Sequence, residues 1–183
     1  MCKKVLLIVF LTIFTVSLRA QFASSGFIPV KQGIWGSLWT PNVAISTFDN
    51  EVFLLNLILT DPNDYSSIPQ DGRLAIKFSS GEVVTLHHTV HEQVKSFNSS
   101  YIGGTLVNEY STIDCYTIDD IESFNKNVIT KIRIELENQD FKDIEIDGSY
   151  QYKFHDKLLD AFKECQNDFE KRRSIKDNFE EGF

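Results

Sequence analysis

The sequence predicts a mainly β protein of the α+β class: an antiparallel β-sandwich or curved sheet closed by a C-terminal amphipathic helix. Two observations lead there. Strand-length runs between Leu74 and Ile146 place apolar residues at every second position, the mark of sheet with one face on a core. After the last of them, apolar residues step by four and three, the spacing of one helix face.

The elements follow in chain order. Residues 27–48 mix aromatic residues with Gly33, Gly36 and Pro41 and read as an irregular entry with one or two strands. Residues 51–60 (EVFLLNLILT) are nearly all apolar and too short for an ordinary helix, which suits a central strand buried on both faces. Asp61-Pro62-Asn63-Asp64 ends it with turn chemistry. Residues 72–78 form the first arm of a hairpin, with Leu74, Ile76 and Phe78 on one face. Ser79-Ser80-Gly81 turns the chain, and the return strand from Glu82 sets Val84 and Leu86 beside Ile76 and Leu74.

Apolar residues at 84, 86, 90 and 94 keep that parity, so the return strand is expected to run on through the histidines. Thr117 is the expected cap of a short helix carrying Ile118, Ile121 and Phe124, with Asn127 at its exit. Residues 128–137 form a strand with Ile132, Ile134 and Leu136 inward. Residues 141–147 repeat the pattern with Ile144 and Ile146. A helix is expected from about Gln151 to Arg173, its stripe drawn by Leu158, Phe162, Cys165 and Phe169. Lys171 to Arg173 suit its C-terminal dipole, and the last ten residues are expected to fray.

The first twenty residues read as a secretory leader. Lys3 and Lys4 precede an uncharged run, VLLIVFLTIFTV, and Ala20 offers a small residue at the cut. The run is about twelve residues, short of the roughly 20 that span a bilayer. Cleavage is expected between Ala20 and Gln21, leaving one β-rich domain at residues 21–183 and placing it outside the cytoplasm, in the periplasm or secreted. Cys2 precedes the apolar run, so it does not suit a lipid anchor. No later run is long enough to cross a membrane.

The leader holds Lys3, Lys4 and Arg19 and no acid. Without it the 18 basic residues fall to 15 against 26 acidic ones, a net charge of −11. Such an acidic body disfavours nucleic acid and anionic membrane surfaces. Cys115 and Cys165 survive cleavage and form a possible disulfide in an oxidising compartment, although Cys165 on an apolar stripe also suits a packed thiol.

No catalytic motif stands out, and no cofactor is implied. His91-Glu92-Gln93-Val94-Lys95 lacks the second histidine of a zinc-binding helix. In a strand, His87 and His91 would lie about 13 Å apart, too far for one ion. Asp143-x-Glu145-x-Asp147-Gly148 resembles a calcium loop, but position 154, which should close it, is Phe. Alternating isoleucines explain that spacing as a solvated strand face. Trp35 and Trp39, with His88, are the candidate ligand contacts, for a protein or carbohydrate partner. Asn98-Ser99-Ser100 is a glycosylation sequon if the source is eukaryotic.

Taken together, GRLAIKFSSGEVVTL, YTIDDIESFNKNVITKIRIEL and the lysine-rich terminal helix resemble small secreted bacterial proteins over roughly residues 70–170. In these a hairpin precedes a short helix, a KIRIE-like strand and a closing helix. The resemblance implies an extracytoplasmic bacterial setting and lends no catalytic residue to any position. The function expected is a non-enzymatic binding or interaction protein. The alternatives are a small hydrolase of envelope polymers, with acidic residues and His88 in a cleft, or a structural envelope component pairing edge strands.

Overall fold

The computed structural model describes residues 23–30, 41–47, 52–89, 94–137 and 140–181. Two antiparallel sheets and a long helix enclose the core. The first sheet runs β1 (Ala23–Ser24), β3 (Asn42–Thr47), β4 (Phe53–Asp61), β8 (Thr105–Ile118), β7 (Val94–Ile102), and β2 (Ile28–Pro29) also pairs with β3. The second runs β10 (Phe141–Glu145), β9 (Ile129–Glu135), β5 (Arg73–Phe78), β6 (Val83–His87). Helix α1 (Ile121–Lys126) links β8 to β9, and helix α2 (Gln151–Glu181) packs on β1, β2, β3 and β9. The expected curved, helix-closed β fold is therefore what the chain adopts. Among the described residues, no helix is long and apolar enough to cross a membrane.

Alternation builds each layer. In β4, Phe53, Leu55, Leu57 and Leu59 face the core, while Leu54 and Ile58 are buried on the other face, as a central strand requires. The β5–β6 hairpin takes the expected register, Leu74 opposite Leu86 and Ile76 opposite Val84. Gly81 closes its turn at φ +90°, where a side chain would be strained. Ile132 and Ile134 are fully buried and Leu136 packs against the core's rim.

Four phenylalanines tie the layers together. Phe53 of β4 meets Phe162 of α2 at 5.4 Å between ring centroids; Phe162 meets Phe124 of α1 at 6.1 Å; Phe124 meets Phe78 of β5 at 5.4 Å. All are edge-on contacts, the favoured geometry for aromatic quadrupoles. Phe154, Leu158, Ala161 and Cys165 complete the buried stripe of α2. The helix continues to Glu181, past the exit expected near Arg173.

Two expectations are corrected. The cap of α1 is Asp120, not Thr117: Thr117 lies in β8, and the Asp120 carboxylate accepts from the backbone N–H groups of Glu122 and Ser123. The strand after the hairpin does not run on through the histidines. It ends at His87, and Val94 opens β7 in the other sheet.

Truncating the ring that joins two neighbours tests the core. Phe162→Ala should cost about 3–5 kcal/mol in urea unfolding, whereas Val83→Ala, on an exposed face, should stay within about 0.5 kcal/mol.

Candidate functional site

The expected site residues fall apart. Trp35, Trp39, His91 and the leader lie outside the described residues, so the cleft imagined around Trp35 and Trp39 lies outside them too. Cys115 and Cys165 are both free thiols, which corrects the possible disulfide. Cys115 follows a core-facing residue, Asp114, and precedes another, Tyr116, so its side chain lies on the opposite face of the sheet from Cys165. Its thiol donates to Asn56 Oδ1, while that of Cys165 donates to the Ile45 carbonyl. Burial first, then charge at Asp114, pushes the Cys115 thiol up to about 11. That leaves it protonated at neutral pH, unlike a reactive cysteine.

His88 sits at the seam where the sheets meet. It pairs with Tyr116 of β8 just past the end of β6, and the Thr89 N–H donates to the Cys115 carbonyl. The His88 side chain is only 4% exposed, and its Nε2 is bonded to Oδ1 of Asp114, itself 1% exposed. The Tyr116 hydroxyl donates to the other carboxyl oxygen at 3.3 Å, and its ring stands edge-on to the imidazole. Burial raises the Asp114 carboxyl above its ordinary range, with His88 opposing the rise. This geometry holds one sheet against the other. Among the described residues, no group of three metal-ligating side chains assembles.

A second feature lies on the outer face of the four-stranded sheet. Arg73 pairs with Glu135 at 2.9 Å, Lys131 with Asp143 and Glu145 at 2.7 and 2.9 Å, and Arg133 with Asp143 at 2.6 Å. Arg133 and then Lys131 hold the Asp143 carboxyl well below the usual range. Beside Lys131 and Arg133 lies an open depression of about 240 Å³, with Ala75, Lys77 and Val83 in its lining. The supposed calcium-loop carboxylates are thus members of a cross-strand ion-pair ladder and of a turn, where Asp147 accepts from the Ser149 N–H.

The third feature was missed by sequence reading. β7 and β8 form a long hairpin whose two-residue loop, Gly103-Gly104, has φ +59° and +83°. Positive φ at both positions is the type I′ turn, which matches strand twist. The ladder to β4 stops at Asp61 opposite Tyr110, so among the described residues two strands alone continue from Glu109 to the tip. One face of this arm is aromatic and apolar. Phe97 lies 4.9 Å from Tyr110, Tyr110 lies 5.2 Å from Tyr65, and Lys95 Nζ stands 5.5 Å from the Tyr65 ring centre. Tyr101 and Leu106 face each other across the strands nearer the tip. Phe97, Tyr101 and Leu106 are 53%, 77% and 54% exposed. The opposite face is more polar, with the Asn98 amide donating to Glu109 at 3.1 Å.

The seam carries a pH signature. A carboxyl whose pKa is raised by folding contributes stability below its unfolded value, about 3.8, and that contribution is lost as pH climbs through the folded value. Asp114→Asn should therefore gain on the parent as pH rises above about 4. Comparing the two chains cancels the opposite slope contributed by Asp143. His88→Ala, which strips a buried carboxyl of its main partner, should cost about 3–5 kcal/mol in chemical unfolding.

No protein family, curated protein or solved structure matches this chain.

Proposed function

We propose that this chain is an exported, non-enzymatic binding protein that engages its ligand, a protein or a carbohydrate, through the aromatic face of the β7–β8 arm. The observation that carries the reading is that face itself. Phe97, Tyr101 and Leu106 stay more than half exposed on a stretch of ladder that has outrun the core. Contiguous apolar surface of this kind on a water-facing protein marks interaction sites. Rings with polar neighbours, here Ser99, Asn108 and Lys95, suit either a protein surface or the apolar face of a sugar ring.

The sealed His88–Asp114 pair supports a structural role for the imidazole. With under 5% of either side chain exposed, a polymer has no route to it, which weighs against the hydrolytic alternative. Export rests on the basic start, apolar run and small-residue cut of the first twenty residues.

Two measurements test this. Retention of the chain on immobilised neutral and acidic polysaccharides and on extracellular proteins should fall at least tenfold in Tyr101→Ser/Leu106→Ser, two exposed residues outside the Tyr65–Tyr110–Phe97 stack, with the unfolding midpoint little changed. Equal retention by both chains would move the function off this face. Mass analysis of the exported chain should give an N-terminus at or within a few residues of Gln21, and an intact Met1 would remove the export reading.

A further inference from the structure

We infer that a second copy of this chain pairs with the first along the outer edge of β7, two-fold and antiparallel, with Asn98 on the axis. Among the described residues β7 stands at the edge of the six-stranded sheet, nine residues long and without proline. Proteins ordinarily blunt such an edge with charge, proline, a bulge or extreme shortness. Lys95 is the sole charge on this one.

The turn fixes which backbone groups face outward. In a two-residue hairpin the flanking residues, Ile102 and Thr105, form a hydrogen-bonded pair, and the pattern then alternates. The even residues of β7 therefore bond to β8. Lys95, Phe97, Ser99 and Tyr101 turn their N–H and C=O groups to the open side. An antiparallel copy centred on Asn98 sets Lys95 opposite Tyr101 and Phe97 opposite Ser99, using every outward group in about eight hydrogen bonds. No other register of the strand with itself pairs all nine residues.

Side chains and charge agree with this register. Opposite residues share a face, so Lys95 of one copy lies beside the Tyr101 ring of the other, the same cation–ring contact it makes with Tyr65. A chain with formal net charge −8 repels its copies, yet β7 carries no carboxylate, so approach along this edge meets little of that repulsion. The two six-stranded sheets become one, and the aromatic faces of the two arms run together.

The register predicts its own cross-link. Asn98 faces its counterpart in a non-hydrogen-bonded pair with Cα atoms about 4.5 Å apart, within disulfide range. Two copies of residue 96 would be separated by about 13 Å. In the full chain, Asn98→Cys should form a disulfide-linked dimer under mild oxidation at least tenfold faster than Ser96→Cys or the parent.

Light scattering over a concentration series should show a dimer. Ser99→Pro, which removes an N–H that β8 does not use, should weaken it at least tenfold while the thermal midpoint holds. A monomer throughout the series, or equal cross-linking at 96 and 98, would overturn the pairing. The pairing builds on the binding reading but is tested apart from it. A dimer with no ligand retention leaves the pairing intact and removes the binding role, and a retained monomer does the converse.

Discussion

Strand β8 holds fourteen residues on one ladder, and the core covers only its C-terminal part. A strand sends alternate side chains to the same face, so Tyr110, Thr112, Asp114, Tyr116 and Ile118 belong to a single surface. From Thr112 onward that surface is buried, with the Thr112 hydroxyl donating to the Ser66 carbonyl and His88, just past β6 of the other sheet, bridging to Tyr116; before it, the same surface emerges into water. Aromatic residues at 97, 101 and 110 continue the apolar character of the interior after the interior has ended. A two-stranded ribbon is marginal by itself in water. The arm gains support from the Tyr65–Tyr110–Phe97 stack and from the rest of β8, which anchors it in the sheet.

The seam at His88 shows what joining the two sheets costs. β6 ends in one sheet, and the next residue bridges to β8 in the other. A carboxyl and an imidazole are withdrawn from water there, and such a pair is neutral to unfavourable against apolar residues of the same size. What it supplies is direction. Asp114 is satisfied by His88 and Tyr116 together, and a hydrogen bond tolerates less displacement than an apolar contact. The pair thus defines where the chain leaves one sheet for the other, while the four phenylalanines supply the burial.

Much of the fold was legible because periodicity and burial coincide. Leu74, Ile76, Ile132, Ile134, Ile144 and Ile146 alternate with charges, and every one is buried. Asp143 and Glu145, read as a solvated strand face, were legible for the same reason, and both join the ion-pair ladder with Lys131. Reading failed where another force took over. Val84, Leu86, Val90 and Val94 keep even numbering, which simulated one strand, but period cannot register a change of sheet at His88. Thr117 and Asp120 both suit a helix cap; β8 claimed the threonine, and the aspartate was left to bind the amide groups of α1. Serine and asparagine in VKSFNSSYI dilute the strand signal of β7. The one local clue to the arm was Gly103-Gly104 between two β-prone runs. The candidate surface was less legible than the fold, since exposure of Phe97 and Tyr101 depends on where the ladder outruns its cover.

The distribution of charge completes the physical picture. Acidic residues outnumber basic ones 26 to 18 across the chain, and general self-repulsion keeps such molecules apart in solution. Repulsion falls off within about 8–10 Å at physiological salt, so it disfavours random contacts without deciding the outcome at any one patch. The arm is the place where that protection is thin. β7 offers a lysine and no acid, and Glu109 points to the face opposite the aromatic residues, occupied with Asn98. A body that resists association in general and relaxes that resistance along one strand restricts contact to that strand. The surface that invites a partner is thus one-sided, with Lys95 beside its rings and Glu109 held on the other face.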